Sequence, residues 1–256
     1  MARVSVVTGA ASGIGAATAA LLRSRGEEVI GVDLHDADVV ADLSTADGLS
    51  AMVADVAKVS GGSIDAVYAI AGVSLEAPLT VKVNFFGMVG TLVGLRPLLL
   101  GSSAPRAQGV ASMASLNPTD DQLVAAMTAG DRDAAVARSE ALGGSSGLVY
   151  GSSKRAFAQW IRRTAPTADW AGASIPLNAV APGVIRTAMT TDLLATEKAT
   201  EDLLNLVPMP LNGVADPTVV AELLSWLGSP ANTHLCGQVI FVDGGSDAVM
   251  RGDSTW

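Results

Sequence analysis

The stretch Val4-Ser5-Val6-Val7-Thr8-Gly9-Ala10-Ala11-Ser12-Gly13-Ile14-Gly15 decides the fold. A β-rich run, Val4–Val7, leads into three glycines, and Ile14, Ala17, Leu21 and Leu22 then recur at helical spacing. Strand, glycine turn and helix in that order leave a bare backbone turn at a helix N-terminus. Gly9 permits the tight turn, Gly13 admits a pyrophosphate close to the backbone, and Gly15 lets the helix pack closely on the strand. Unpaired N–H groups at the helix start favour an anion there. Ser12 and Ile14 belong to the same loop and complete the expected dinucleotide contacts.

Glycine turns are common, and an acid at the end of the next strand makes this one specific. Val29–Val32 is that second strand, ending at Asp33, twenty positions beyond Gly13. A carboxylate at that strand tip accepts both ribose hydroxyls of an adenosine and repels a 2′-phosphate. Neither the glycine loop nor Leu34 beside Asp33 offers a Lys or Arg, and His35 is mostly neutral at pH 7. The expected cofactor is NAD rather than NADP. Asp42-Leu43, after a third strand-like run, is either a cap on the adenine or the site of a helix-capping acid.

Outward from this unit, strands and helices alternate along nearly the whole chain. Ser44 to Asp47 resembles a capping pair for a helix whose face is Leu49, Met52, Val53, Val56 and Val59. A strand is expected at Ile64–Ile70, a long helix from about Val81 to Leu99, a weak strand at Gly109–Ser112 and a helix at Tyr150–Arg163. Ile175–Val180 and Gln238–Val242 read as strands. Asp216-Pro217 reads as an N-cap and first helical residue of a helix through Leu227. The expectation is an α/β fold: one Rossmann-type domain over residues 1–256, a doubly wound parallel sheet of about seven strands with helices on both faces. Two segments break the alternation. An acidic, Ala-rich insertion covers 117–144, and 188–213 is a long, largely apolar connection expected to border a substrate.

Composition excludes several functions. The chain has 256 residues, a net charge of −9, 16% charged residues and one cysteine. The charge argues against nucleic acid, because no basic stripe is present to neutralise phosphates. Overall hydropathy is positive, but Arg96 and Pro97 interrupt the apolar run after Met88, so no membrane span is expected. The start runs straight into a strand pattern, so no signal peptide and a cytoplasmic location are expected. Cys236 cannot form an internal disulfide and is expected in the core. His35 and His234 lie far apart without ligand spacing, and no metal is expected.

Tyr150-Gly-Ser-Ser-Lys154 places a tyrosine and a lysine on one helix face. An ammonium beside a phenol lowers its pKa from about 10 and prepares it as an acid or base. With this pair in place, the chain resembles the short-chain dehydrogenase/reductases along nearly its whole length. The shared features are Thr8-Gly-x-x-x-Gly-x-Gly15, Asp33, Ala71-Gly72, Asn84 in Val83-Asn84-Phe85-Phe86-Gly87, Ser112, Tyr150-x-x-x-Lys154, Asn178-x-x-x-Pro182-Gly183 and Asp243-Gly244-Gly245.

The resemblance implies NAD-dependent interconversion of a secondary alcohol and a ketone. Tyr150 would be the acid/base, and Lys154 would lower its pKa and bind the nicotinamide ribose. Ser112 would bond the substrate oxygen, with Ser115 a rival by proximity, and Asn84 would hold a water in a proton relay. Pro182, Gly183, Ile185 and Thr187 would hold the carboxamide.

A narrower resemblance, to bacterial 3α-hydroxysteroid dehydrogenases/carbonyl reductases, is carried by Gly31–Thr45, by Asp243–Arg251 and by the 38-residue Ser112-to-Tyr150 spacing. It implies a small hydrophobic carbonyl or alcohol as substrate. A non-steroid cyclic or aromatic ketone is the alternative, and an NAD(H)-binding regulator a remote one. A homo-oligomer, dimer or tetramer, is the family's expectation.

Overall fold

A computed structural model of the chain describes residues 2–75, 77–143 and 146–255. Strand β1 (Val4–Thr8) leads through the glycine turn into α1 (Gly13–Ser24), followed by β2 (Glu28–Asp33) and the short β3 (Val39–Val40). After α2 (Ala46–Val59) and β4 (Ala66–Ala69), α3 (Ala77–Val81) runs through a π-helical stretch (Lys82–Gly87) into α4 (Met88–Leu99). Next come β5 (Arg106–Val110), a 3₁₀ turn (Met113–Leu116), α5 (Asp121–Thr128), α6 (Arg132–Ala141) and the long α7 (Ser146–Thr164). The order ends with β6 (Leu177–Pro182), two 3₁₀ turns (Ala188–Thr190, Asp192–Leu194), α8 (Glu197–Leu206), α9 (Pro217–Gly228), β7 (Val239–Val242) and α10 (Ser246–Arg251).

All seven strands are parallel, in the order β3-β2-β1-β4-β5-β6-β7. Val6 of β1 pairs with Ile30 on one side and Val67 on the other. Strand addition reverses beside β1, and a crevice therefore opens at the carboxyl ends there. Helices α1 and α9 pack together on one face, while α2 packs on α4, and α3 and the π stretch pack on α7. Every residue of β4 and β5 is buried, as strands covered on both faces require. Gly109 lets α7 lie close on β5: a Cβ there would stand 2.5 Å from the Phe157 ring.

The observed elements correct several expectations. The weak strand read at Gly109–Ser112 is β5 at Arg106–Val110, and Ser112 lies beyond it. Its buried Arg106 and Gln108 hid a core strand from an apolar pattern. The helix expected from Val81 begins at Ala77, and its 23 residues are long and apolar enough to cross a membrane. Pro97 lies inside α4 without ending it. Val81, Phe85, Met88, Leu92, Leu95 and Leu99 are buried in the core, so the apolar character belongs to sheet packing. The cap of α2 is Thr45, whose hydroxyl accepts from Gly48 N at 3.0 Å, one residue later than the pair read from Ser44 to Asp47. Asp216 occupies the N-cap of α9 without a side-chain capping bond. Cys236 is half-buried at the edge of the core, its thiol donating to the Ala165 carbonyl at 3.4 Å.

The insertion forms α5 and α6, capped by Asp120 and Asp131. Leu123, Met127 and Ala135 are buried as the two helices pack on α3 and α7. Gly144, its last residue, lies outside the described residues. In the 188–213 connection α8 buries no residue, whereas Met209 is buried beside Gly183.

Candidate active site

A cleft of about 500 Å³ lies at the carboxyl ends of the central strands. Gly9, Ser12, Gly13, Ile14 and Gly15 form one wall. Ser12 sits at the N-cap of α1 without a side-chain capping bond, leaving its hydroxyl free. Gly9 and Gly13 adopt φ of +73° and +52°, in the region that favours glycine. Ala71 and Gly72 line the floor, where a Cβ on Gly72 would stand 3.3 Å from Asn84 Oδ1 and 3.5 Å from Lys154 Nζ. Pro182, Gly183, Ile185 and Thr187 form the far wall.

Asp33 ends β2, outside the residues that line this cleft. Its Oδ2 accepts from Ala11 N at 2.9 Å and its Oδ1 from Leu34 N at 2.7 Å. Those bonds orient the carboxylate at the β2 tip and leave each oxygen a further lone pair. His35 stands 3.3 Å from Asp36, and the Arg23 guanidinium faces Asp38 at 3.4 Å. Leu34 is 60% exposed and does not line the cleft. Asp42 accepts from Ser44 N at 2.8 Å, in the turn before α2, whose cap is Thr45 rather than Asp42. Leu43 is buried in the core and its side chain is unavailable to a ligand.

The reacting end gathers residues far apart in sequence. Ser112, Tyr150 and Lys154 line the same cleft floor. Ser112 caps the 3₁₀ turn, its Oγ accepting from Ala114 N at 3.1 Å, and its hydroxyl neighbours the Tyr150 phenol in the cleft. Ser115, the rival, lines a different pocket beside Arg155. Lys154 is buried, its Nζ donating to the Val110 carbonyl at 2.9 Å and standing 5.7 Å from the Tyr150 ring centre.

Burial dominates both titrating groups. It raises the Tyr150 pKa above its ordinary value, with the neighbouring Ser112 hydroxyl pulling it back, and lowers the Lys154 ammonium to about 7. In the desolvated floor each group's neutral form is favoured, and a lysine near neutrality exerts a weaker pull on a phenol.

Asn84 is fully buried beside the cleft floor. Its Nδ2 donates to the Val73 carbonyl and its Oδ1 accepts from Val73 N, both at 2.8 Å. The side chain is committed to holding the β4–α3 connection against the π stretch. A relay water would have to use a backbone group instead.

Other residues support the site without having been assigned a role in the sequence. Thr190 accepts from Thr187 N at 3.1 Å and donates to the Ile185 carbonyl at 2.6 Å, bracing the wall; its Thr-x-x-Thr spacing was the available signal. Asp243 accepts from Gly245 N at 3.0 Å and Asp247 N at 2.7 Å. A Cβ on Gly183 would stand 2.9 Å from Asp243 Cα, so the Asp-Gly-Gly motif backs the Pro182-Gly183 turn. Val73, Met189 and Asp192 at the cleft mouth had no motif to mark them.

The residues present fit a dinucleotide: a side-chain-free turn at a helix start, an oriented carboxylate at the next strand tip, and a buried ammonium beside an open glycine. A family model described as enoyl-(acyl carrier protein) reductase matches residues 119–247. The chain is 35% identical to the 3-alpha-hydroxysteroid dehydrogenase/carbonyl reductase of Comamonas testosteroni, over 97% of this chain and 98% of that one. It is 32% identical to the cis-4-hydroxycyclohexanecarboxylate dehydrogenase of Sinomonas cyclohexanicum, over 96% and 97%. Among solved structures, the 3-alpha-hydroxysteroid dehydrogenase from Pseudomonas sp. B-0831 complexed with NADH matches with a TM-score of 0.90 at 38% identity, covering 98% of this chain and 99% of that one.

Proposed function

The chain belongs to the short-chain dehydrogenase/reductase family, and on that premise we propose that it interconverts a hydrophobic secondary alcohol and its ketone with NAD(H), a 3α-hydroxysteroid and its 3-ketone being the first candidate pair. The observation that carries this reading is the convergence of Ser112, Tyr150 and Lys154 on the floor of the cleft that the glycine loop borders. A second substrate class, small cyclic ketones and alcohols, is favoured by the likeness to a dehydrogenase named for a hydroxylated cyclohexane ring.

When bound, the nicotinamide supplies or accepts the hydride at the carbonyl carbon. The chain's own residues do the rest. As negative charge develops on the carbonyl oxygen, the Ser112 and Tyr150 hydroxyls donate to it, and Tyr150 then transfers its proton. Lys154 would hold the nicotinamide ribose, Asp33 the adenosine ribose, and the Gly9–Gly15 loop the pyrophosphate. Pro182, Gly183, Ile185 and Thr187 would hold the carboxamide. Asn84 orients the floor through Val73.

The 188–213 connection would border the substrate: Met189 lines the cleft and is 44% exposed, and α8 buries nothing, as suits a segment that moves over a ligand. The outer strand β7, half-buried along its length, supports assembly into a homo-oligomer, and a lone cysteine fits the reducing cytoplasm. Turnover of steroid and small cyclic ketones by the wild type and by Tyr150→Phe tests the reading. An enzyme loses turnover in the variant while keeping NADH binding, whereas a regulator without turnover is inactive in both.

A further inference from the structure

Ser112 and Tyr150 are 38 residues apart, with α5 and α6 between them. A tether of that length does little by itself to hold two hydroxyls in register. The 3₁₀ turn that Ser112 caps instead continues into a segment gripped by a single side chain on α7. Arg155 Nε donates to the Ser115 carbonyl at 2.8 Å, Nη1 to Thr119 Oγ1 at 2.9 Å and Nη2 to the Asn117 carbonyl at 3.3 Å. Two neighbouring features close the same seam. Asp120 N donates to Ser152 Oγ at 2.9 Å, and Gly151 leaves room for the turn, since a Cβ there would stand 3.0 Å from the Ala114 carbonyl oxygen.

We propose that Arg155 is a positioning residue that sets the Ser112 hydroxyl against Tyr150 by clamping residues 115–119 to the helix carrying Tyr150 and Lys154. This rests on the reading of Ser112 as the donor to the substrate oxygen. The side chain type suits the task. A guanidinium presents several donors in one rigid fork, and here they span three acceptors on successive parts of one strand of chain. Each is a charge-assisted bond to a neutral acceptor. A lysine at the same position has one nitrogen and no fork. Arg155 follows Lys154 directly, so clamp and reacting groups share one stretch of helix, and movement of the 3₁₀ turn moves Ser112 relative to both. Arg155 lines the pocket on the outer side of this seam, away from the cleft, so it acts only through the serine.

A double-mutant cycle tests this with purified wild type, Ser112→Ala, Arg155→Ala and the double variant, reading kcat and KM for ketone reduction together with NADH affinity by fluorescence. A misplaced serine should cost about tenfold or more in kcat, with NADH affinity unchanged. Once Ser112 is already alanine, the second change should cost less than about twofold, because residues acting as a unit are not additive. Equal fold-losses in both backgrounds would assign Arg155 a general structural role and overturn the proposal, as would an Arg155→Ala enzyme with wild-type kcat. If Ser112→Ala itself retains full kcat, the serine's assigned role fails, and the proposal fails with it for that separate and recognisable reason. Should Arg155→Ala not fold, Arg155→Lys carries the same cycle, with a smaller kcat loss that again disappears in the Ser112→Ala background.

Discussion

Replacing Gly15 with alanine should damage cofactor binding and stability together, by an amount the geometry sets. The new Cβ would stand 2.0 Å from the Gly9 carbonyl oxygen and 2.5 Å from its carbon, with Ala10 N at 3.2 Å. All three neighbours are backbone, so no flexible side chain can swing away. Restoring a distance of about 3.4 Å moves the start of α1 roughly 1.4 Å from the turn, against a helix whose Ala19 and Leu22 are buried in the core. Overpacking of this kind costs about 3 kcal/mol, which corresponds to a fall in Tm of roughly 6–12 °C for a chain of this size. The same displacement takes the loop N–H groups out of hydrogen-bond reach of a phosphate. Losing two charge-assisted bonds, each worth about 1.5–3 kcal/mol, weakens binding by at least about a hundredfold. The assay is a fluorescence titration with NADH beside thermal unfolding. Gly26→Ala is the control: Gly26 has φ +84° but nothing within 4 Å, so that change should cost about 1–2 kcal/mol and leave NADH binding intact. A Gly15→Ala protein with wild-type Tm and NADH affinity would refute the packing argument and the role of the turn.

Asn84→Ala strips two buried-side partners from the Val73 backbone and should cost about 2–4 kcal/mol in denaturant unfolding; Asn84→Asp, which sets a buried carboxylate oxygen against the Val73 carbonyl, should cost at least as much, and equal stability of all three would contradict the clamp. Asp33→Ala should narrow the preference for NAD over NADP by about ten- to a hundredfold in kcat/KM, since one nearby negative charge at a half-exposed site is worth about 1–4 kcal/mol against a 2′-phosphate; an unchanged ratio would remove Asp33 from selection. Buried Lys154, lowered to about 7, binds fewer protons when folded than when unfolded between roughly pH 7 and 10. Its contribution to stability therefore rises with pH across that window, and the penalty for burying its charge is full below it. Lys154→Met should gain stability relative to wild type at pH 6 and lose that gain toward pH 9, as read by urea unfolding without cofactor; a pH-independent difference would show that the lysine titrates normally.

The sheet and the cofactor wall were legible because they depend on local chemistry. A glycine turn between a strand and a helix, and an acid at the next strand tip, need only their own neighbours to be recognised. β5 was less legible: Arg106 donates to the Pro105 carbonyl and to the remote Ser229 and Pro230 carbonyls, so a polar side chain is satisfied in the core largely by partners far away in sequence. Tyr150 and Lys154 were visible as a helix pair. What Asn84 holds, and how deeply Tyr150 and Lys154 are desolvated, depends on distances that no spacing encodes. Leu43 shows the same limit, since its place after Asp42 said nothing about the burial of its side chain.

The most direct test of the account is stopped-flow or steady-state oxidation of NADH with a 3-ketosteroid and a small cyclic ketone, by the wild type and Tyr150→Phe, with NADH binding measured on the same samples. Turnover by the wild type, a fall of about a thousandfold in the variant and unchanged NADH affinity are predicted. Turnover undiminished in Tyr150→Phe would contradict the assignment of the proton to that hydroxyl, and NADH binding by a wild type that reduces neither ketone would contradict the proposed substrate classes.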